Sequence, residues 1–265
     1  MSSLSIRRAF DRAAASYDGA AGLQREVARR LTGRMAAALA LLGRPPRRLL
    51  DVGSGTGFGE TLLRPWLTGV EFLELDIAPA MLKVARERRG AEDHHPAVCG
   101  DVECLPLSGG CVDLVWSSLA LQWTGDGGRS FPELARCLAP GGVLLFATLG
   151  PRSLWELGRA FAGVDQYRHV NRFAEPSTLR ASLERADLEV AALEQEDIVV
   201  EYDEARQVMR DLKAIGARRV LEDGVPGLMG KDRWQRAVEN YETLRRDGQL
   251  PATYDVIYGL AKKAN

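Results

Sequence analysis

The chain contains 265 residues, and its 35 basic and 36 acidic residues give a formal charge of −1 at pH 7. This near balance excludes a bulk electrostatic attraction to nucleic acid. The hydrophobic share of 46% is ordinary for a soluble globular protein. The longest near-continuous apolar run, residues 35–42, is far shorter than the roughly 20 residues that span a bilayer. The length fits one α/β domain with an insertion as well as two domains.

The cysteines and histidines exclude two further classes of protein. The four cysteines, at positions 99, 104, 111 and 137, form no Cys-x-x-Cys pair, which is typical of reduced thiols in a cytosol. The three histidines lack the spacing of metal ligands. We therefore expect a cytoplasmic protein without a metal centre and without a membrane partner.

Basic residues are concentrated in two segments. Residues 1–48 contain ten arginines and three acidic residues, and residues 206–236 contain eight basic and four acidic residues. The rest of the chain is therefore acidic. Two basic segments on an acidic body favour an acidic partner, although solvated helix faces give the same composition.

The first half of the chain shows helical and strand patterns in alternation. Apolar residues recur every four positions between 27 and 39, which predicts a helix over residues 23–42. Short apolar runs then predict strands at 48–52, 70–76, 97–101, 112–117 and 143–149. Helices are predicted between them at 57–67, 79–89 and 129–138. This alternation predicts a parallel, doubly wound sheet.

The second half adds one helix, two strands and a long insertion. The helix is predicted at 176–186, and the strands at 188–202 and 252–262. A basic, helical stretch of about 50 residues, 203–251, lies between these strands and is longer than ordinary loops. We expect it to fold over the edge of the sheet.

A glycine-rich turn follows the first strand and carries Gly53, Gly55 and Gly57. Glycine allows a ligand to approach the backbone closely. A dinucleotide fingerprint would need a glycine at position 58, which is Phe58, and Asp51 stands two residues before the first glycine. An acidic residue there would repel a diphosphate and attract a cationic sulfonium. The turn therefore favours S-adenosylmethionine over a dinucleotide.

Two more carboxylates follow the second and third strands. Asp76 is expected to accept hydrogen bonds from both ribose hydroxyls, and Asp101 from the amino group of adenine. Both follow parallel strands, so they are expected at the same edge of the sheet as Asp51. Both could instead cap the helices that come next, and the two roles are compatible.

Four segments resemble motifs of the class I S-adenosylmethionine-dependent methyltransferases: residues 51–57, 75–82, 100–107 and 138–142. Further segments resemble a narrower family, the malonyl-acyl carrier protein O-methyltransferases of biotin synthesis. They are residues 9–18, 23–25, 117–123, 169–173, 209–217 and 252–254. The segments at 117–123, 169–173 and 209–217 select this family within the superfamily.

The resemblance implies a fold and an organisation. The fold is a Rossmann-like, doubly wound sheet of seven mostly parallel strands, with the last strand antiparallel. Residues 1–265 form a single methyltransferase domain. Within it, residues 1–45 are an N-terminal helical cover and residues 203–251 a helical lid or insertion before the last strand.

The resemblance also implies an activity and its residues. The activity is methyl transfer from S-adenosylmethionine to the free carboxyl of malonyl-acyl carrier protein, at the start of biotin synthesis. The expected cofactor contacts are Asp51, Gly53, Ser54, Gly55, Gly57, Asp76, Ile77, Met81, Asp101, Val102 and Ser117. The expected catalytic residues are Tyr17 and Arg172. The expected contacts to the acceptor are Gln122, Trp123, Asn171 and Arg172. The carrier protein is expected to dock on Lys213, Arg218 and Arg219.

Several alternatives stay open. Arg172 could equally form an ion pair at the surface. Tyr17 could anchor its helix, and Trp123 could pack in the core. The acceptor could be another small acid, a quinone or a natural product. A nicotinamide-dependent oxidoreductase is disfavoured by Phe58 and Asp51, and a third alternative is a regulator that binds S-adenosylmethionine without catalysis.

Overall fold

A computed structural model describes residues 3–90, 95–214 and 230–265, with the backbone alone for 212–214. Its strands are β1 (Arg48–Val52), β2 (Glu71–Asp76), β3 (Ala97–Cys99), β4 (Val112–Ser118), β5 (Leu138–Leu149), β6 (Leu188–Tyr202) and β7 (Leu250–Lys263). They form one sheet in the order β3-β2-β1-β4-β5-β7-β6. The first five strands are parallel, and β7 pairs antiparallel with both β5 and β6. This order confirms the predicted doubly wound, mostly parallel sheet.

The helices that precede β1 are α1 (Ser3–Ala13), α2 (Tyr17–Ala20), α3 (Gly22–Thr32) and α4 (Met35–Leu42). Those that follow are α5 (Phe58–Leu63), α6 (Pro79–Arg89), α7 (Ser130–Cys137), α8 (Trp155–Phe161), α9 (Pro176–Arg185), α10 (Ala205–Ala214) and α11 (Lys231–Glu242). Short 3₁₀ turns lie at Arg64–Trp66 and Leu121–Thr124. In the described ranges, no helix combines the length and apolar character that crossing a membrane requires.

The predicted elements differ from the observed ones mainly at their ends. The helix predicted over residues 23–42 is two helices, α3 and α4, separated at Gly33 and Arg34. Glycine is a poor helix former, at about 1 kcal/mol less favourable than alanine, which accounts for the break. The third strand ends at Cys99, two residues before the predicted end, so Asp101 lies in the turn beyond it.

The central strands are buried on both faces because alternate side chains point to opposite sides. In one row across β1, β4 and β5, Leu49, Leu114 and Val143 pack on one face. In the next row, Leu50, Val115 and Leu144 pack on the other. Each is fully buried, and burial of such a side chain stabilises the fold by about 1.5–3 kcal/mol. The two apolar faces hold the carboxyl ends of the strands in register.

The N-terminal helices cover the carboxyl end of the sheet through a few polar contacts. The amide of Ala80 on α6 donates to Asp11 of α1 at 3.1 Å. The Thr56 hydroxyl donates to the Asp18 carboxylate at 2.7 Å, and Arg88 pairs with the same carboxylate. These contacts tie the first twenty residues to the glycine-rich turn and to α6. The boundaries of the cover and of the 203–251 insertion stay predictions.

The described part of the insertion consists of α10 and α11. Helix α11 packs against α8, and the Tyr241 hydroxyl donates to the carbonyl oxygen of Pro251 at 2.8 Å. Of the three predicted docking residues, Arg218 and Arg219 lie outside the described residues. Lys213 lies in α10, where the backbone alone is described.

The pairing of β5 with β7 predicts the effect of one small substitution. Gly259 lies opposite Phe146, and a Cβ atom at Gly259 would come within 2.1 Å of the Phe146 ring. Because overpacking a buried core typically costs about 1–3 kcal/mol, Gly259→Ala should lower the free energy of unfolding by at least that amount. Urea unfolding of the purified variant measures the change.

Gly158→Ala is the matched control, because a Cβ atom at Gly158 in α8 meets nothing within 4 Å. Alanine is the better helix former, so this control should be neutral or stabilising by up to about 1 kcal/mol. Equal stability of Gly259→Ala and the wild type would contradict the register of β5 and β7.

Candidate functional site

A cavity of about 320 Å³ lies at the carboxyl ends of β1, β2 and β4, under the N-terminal cover. The strand order reverses between β1 and β4, and this switch point is where open α/β sheets bind ligands. The volume is in the range of small-molecule sites. The lining includes nine of the predicted site residues: Tyr17, Gly53, Gly55, Asp76, Ile77, Met81, Asp101, Val102 and Trp123.

The glycine-rich turn forms the floor of the cavity. Gly53, Gly55 and Gly57 all have positive φ angles, of 71°, 56° and 78°. At Gly53 a Cβ atom would come within 2.3 Å of the Cβ atom of Ala120, so only glycine fits. Gly57 packs against Ala85 and precedes α5, outside the lining. The turn thus presents bare backbone to a ligand at Gly53 and Gly55.

Asp76 is the most constrained polar group of the cavity. Its carboxylate accepts hydrogen bonds from the backbone N–H of Gly55 at 2.9 Å and of Ala78 at 2.8 Å. Burial raises the pKa of Asp76 from 3.8 to about 6, and the two N–H donors partly oppose this rise. The bond to Ala78 closes a turn just before α6, whose N-cap residue is Ala78 itself, so the alternative that Asp76 caps this helix is not observed. Both carboxylate oxygens keep a second acceptor position for a ligand.

Asp101 lies in the cavity wall beyond β3. One of its carboxylate oxygens accepts from the backbone N–H of Glu103 at 3.0 Å. The apolar side chains of Ile77, Met81 and Val102 belong to the same lining. A planar, mostly apolar ring with a polar edge fits such a wall. The apolar side chains shield the ring from water, and Asp101 accepts a hydrogen bond from its edge.

Asp51 lies under the glycine-rich turn and outside the lining. It is 1% exposed, and Asp51 and Trp116 both lie beside Gly59, where an added Cβ atom would meet them. Burial raises its pKa well above the ordinary value, and the negative charges of Glu74 and Asp76 add to the rise. Because Asp51 lies outside the lining, its expected contact with the cofactor stays a prediction.

The cover supplies the opposite wall. The ring of Phe10 meets the ring of Trp123 edge to face, with centroids 5.6 Å apart, and the ring of Tyr17 at 6.4 Å. Burial, followed by the charges of Asp76 and Asp18, raises the pKa of Tyr17 well above its usual range. The Tyr17 phenol therefore stays neutral near pH 7 and is able to donate a hydrogen bond.

Besides Asp51 and Gly57, five predicted residues lie outside this cavity. The Ser117 hydroxyl donates to the carbonyl oxygen of Val52 at 2.9 Å, and the Gln122 side-chain amide donates to Leu119 at 2.6 Å. Asn171 and Arg172 follow α8 in a loop, and Arg172 is exposed. Ser54 lies in the lining of a smaller neighbouring cavity. None of the five belongs to the described lining of the large cavity.

Sequence reasoning missed two groups of lining residues. One comes from α1, namely Ser3, Ile6 and Phe10, and the other from the chain after β4, namely Ser118, Leu119, Ala120, Thr124 and Gly125. Alternation along β4 accounts for Ser118, because adjacent side chains of a strand point to opposite faces. Leu119 has a φ angle of 51°, a strained value that clusters at functional sites.

The described residues contain no group of three or more His, Cys, Asp or Glu side chains that could hold a metal ion. The four cysteines are free thiols, of which Cys99 and Cys104 are exposed.

Comparison with known proteins identifies relatives along almost the whole chain. The family described as "Methyltransferase domain" matches residues 50–146. The chain is 47% identical to the malonyl-[acyl-carrier protein] O-methyltransferase of Laribacter hongkongensis, over 97% of this chain and 88% of that protein. It is 39% identical to the biotin biosynthesis bifunctional protein BioHC of Cellvibrio japonicus, over 96% of this chain and 49% of that longer protein.

A solved structure shares the fold. The putative methyltransferase from Bacillus halodurans superimposes with a TM-score of 0.62, over 89% of this chain and 99% of that one. Its sequence identity of 19% supports the fold alone.

The raised pKa of Asp76 predicts a pH dependence of stability. Because the folded protein keeps the proton up to about pH 6 while the unfolded chain loses it near 3.8, the contribution of Asp76 to stability falls as pH rises between these values. It then stays constant above about pH 7. Asp76→Asn should therefore gain stability relative to the wild type as pH rises from about 4 to 7.

Urea unfolding at half-unit pH steps measures this difference. Asp126→Asn is the control, because Asp126 is exposed and also accepts a backbone N–H, that of Gly128 at 3.0 Å. A stability difference between Asp76→Asn and the wild type that stays the same at pH 4 and pH 7 would contradict the burial argument.

Proposed function

We propose that this protein, which belongs to the family of malonyl-[acyl-carrier protein] O-methyltransferases, transfers the methyl group of S-adenosylmethionine to the free carboxyl of malonyl-acyl carrier protein. The product is the methyl ester, formed at the start of biotin synthesis. The observation that carries the proposal is the cavity at the switch point, where Asp76 and the bare backbone of Gly53 and Gly55 face the aromatic side chains of the cover. The activity of the Laribacter hongkongensis relative supports the choice of acceptor, and the name of the Cellvibrio japonicus relative supports biotin synthesis.

The residues present fit S-adenosylmethionine. The free acceptor positions of Asp76 suit the two ribose hydroxyls, and Asp101 suits the amino group of adenine. Ile77, Met81 and Val102 provide apolar contact for the base. When bound, this cofactor supplies an electrophilic methyl group on a positively charged sulfur. Because Gly53 has no side chain, the sulfur and its methyl group have room to lie beside the backbone there.

The acceptor carboxylate is already ionised near neutral pH, since carboxylic acids of this kind have a pKa of about 4. The protein then has to align the reactants and exclude water, and alignment alone contributes roughly 7–11 kcal/mol in favourable systems. Tyr17 is the proposed residue that orients the carboxylate by donating from its neutral hydroxyl, and its place in the lining supports this role. Phe10 and Trp123 supply an apolar wall. Asn171, Arg172 and Gln122 stay predictions for the acceptor, and Ser117 for the cofactor.

Esterification has a physical purpose in this setting. An unpaired carboxylate is costly to bury in an apolar channel, and a methyl ester removes that cost. A malonyl group carried as its ester is therefore accepted by chain-elongating enzymes that bind apolar acyl chains. The free acid in the same channel would leave an unpaired carboxylate buried.

The carrier protein is the proposed macromolecular partner. Carrier proteins of this kind are acidic, and complementary charge accelerates association and sets orientation. Lys213, Arg218 and Arg219 are the proposed docking residues. Arg8 and Arg12 add exposed positive charge near the cavity, because they lie on α1, whose other face belongs to the cavity wall.

A methyl transfer assay with three acceptors tests the proposal. Malonyl-carrier protein, malonyl-coenzyme A and free malonate are each offered with labelled S-adenosylmethionine, and the ester is identified by mass spectrometry. We expect ester on the carrier-bound substrate, with an apparent Michaelis constant that rises with salt because exposed charges are screened over about 8 Å. Malonyl-coenzyme A should respond less, since it has no protein surface to dock.

Absence of transfer to any malonyl acceptor would overturn the proposed reaction. An equal salt response of the carrier-bound and coenzyme A substrates would leave the reaction standing and remove the basic docking surface.

The ionised acceptor predicts a pH profile. Single-turnover methyl transfer should not depend on a group that titrates near pH 7, because no proton has to be removed from the acceptor. Rapid-quench measurements from pH 6 to pH 8 should give rate constants that stay within about twofold. A tenfold rise per pH unit would show that a general base acts in the chemical step.

A further inference from the structure

The chain between α8 and α9 passes from one face of the sheet to the other. Val170 packs with the apolar cluster on the face of Leu49. Ala174 packs with the cluster on the opposite face, that of Leu50. The chain therefore crosses the sheet at residues 171–173, which form the crossing segment.

The crossing segment lies beside the carboxyl end of β5. Arg152 follows that strand, and its pKa is raised by hydrogen bonding to Asp197 and by the charges of Asp255 and Glu175. Because Glu175 comes just after the crossing segment, its nearness to Arg152 places the crossing at this end of the sheet. Strand β5 pairs with β4, and Ser118 at the end of β4 lines the large cavity. The crossing segment is therefore one strand away from the cavity.

A buried pair of polar side chains lies just before the crossing segment. Nε2 of His169 lies 2.9 Å from Oδ1 of Asp165, and the two side chains are only 1% and 6% exposed. The backbone N–H of Tyr167 donates to the same carboxylate oxygen at 2.9 Å. The His169 ring stacks on the ring of Phe161 at the end of α8, with centroids 3.6 Å apart. The pair thus fixes the loop against α8.

Helix α11 of the insertion contacts the same loop. Its Arg236 donates to the carbonyl oxygen of Gly163 at 3.0 Å. Although burial opposes the change, hydrogen bonds to the carboxylate lower the pKa of Asp165, and the charge of Arg233 on α11 adds to this effect. The Asp165–His169 pair therefore lies between the insertion and the crossing segment.

The stability of the fold does not account for this pair. Nδ1 of His169 and Oδ2 of Asp165 are buried and have no hydrogen-bond partner among the described residues. A buried polar atom without a partner destabilises the folded state, and replacing a buried ionic pair by apolar residues is often neutral or stabilising. The neighbours Phe161 and Val164 belong to an apolar cluster, which would suit an apolar side chain. A role in directing the chain explains the pair better.

We propose that the Asp165–His169 pair positions Arg172 for the acceptor, by fixing the direction in which the chain leaves His169 and crosses the end of β5. The inference rests on the proposed function and on the acceptor role predicted for Arg172. His169 is a positioning residue, because it acts through Arg172 and lies outside the lining of the large cavity. An exposed guanidinium needs such support, since its planar fork binds a carboxylate in a defined orientation.

Steady-state methyl transfer to malonyl-carrier protein tests the inference on the whole protein. His169→Phe keeps a ring against Phe161 and removes the bond to Asp165. It should raise the Michaelis constant for the carrier-bound substrate roughly 3- to 30-fold (about 0.7–2 kcal/mol), a usual range for residues of one network. The turnover number and the affinity for S-adenosylhomocysteine should each change less than twofold, because the cofactor cavity is untouched.

A double-mutant cycle shows whether His169 acts through Arg172. Arg172→Gln alone should raise the Michaelis constant at least as much as His169→Phe does. When His169→Phe is added to Arg172→Gln, the further rise should be less than twofold, because the group that the pair positions is already absent. A general loosening of the fold would instead add its full effect.

His95→Phe is the matched control. Nε2 of His95 also lies beside a carboxylate, at 2.6 Å from Glu60, and its ring lies near that of Phe72, but it precedes β3 at the opposite edge of the sheet. This control should keep the Michaelis constant within twofold of the wild type. His169→Gln retains a side-chain N–H that can donate to Asp165, so it should restore most of the wild-type value. It also replaces His169→Phe if that variant does not fold.

The possible failures can be told apart. An unchanged Michaelis constant in folded His169→Phe would reduce the pair to a packing contact. Full additivity with Arg172→Gln, or an equal loss of affinity for S-adenosylhomocysteine, would assign the effect to general loosening. Wild-type kinetics in Arg172→Gln would overturn the inference and leave the reaction standing. If the wild-type protein methylates no malonyl acceptor, the proposed function itself fails, and the inference fails with it.

Discussion

The carboxylate of Asp76 accepts two backbone hydrogen bonds, from Gly55 and Ala78, and this pair of bonds joins the three elements that form the cavity. The turn after β1, the end of β2 and the start of α6 meet at this one side chain. The same junction is reinforced by Leu75, whose carbonyl oxygen accepts from the N–H groups of Gly53 and Ser54. Burial disfavours the charge of Asp76, and further donors from a ligand favour it. The floor of the site is therefore arranged around a carboxylate that gains from binding hydroxyl groups.

Charge is distributed unevenly around this centre. The large cavity is lined by carboxylates, hydroxyls and apolar groups, while Arg25 stands across the turn in the smaller one. Transfer of a methyl group from a cationic sulfur to an anion reduces charge as it proceeds. Such a reaction gains more from alignment and exclusion of water than from added ionic groups. A lining with neutral donors at Tyr17 and Ser118 is consistent with that requirement.

The sequence predicts the sheet better than it predicts the site. The buried central strand Arg48–Val52 and the half-exposed edge strand Leu188–Tyr202 are both predicted with the observed bounds, because their patterns and end signals are local. The site depends on details that are not local. Whether Ser117 or Ser118 lines the cavity depends on which face of β4 each side chain points to. The position of Arg172 rests on the path of the chain after α8, for which the sequence offers no signal, and the wall supplied by α1 rests on packing between distant segments.

The cover links binding to the position of the N-terminal segment. Phe10 and Tyr17 form part of the cavity wall, and the polar contacts that hold this wall are centred on Asp11 and Asp18. Asp18 bonds Thr56 through its side chain and Arg25 through its backbone, so it stands between the glycine-rich turn and the smaller cavity. A ligand in the large cavity contacts the cover and the sheet at once, so its binding stabilises the packing of the cover on the sheet. The first twenty residues thus belong to the binding site as much as the strands do, although the family match begins at residue 50.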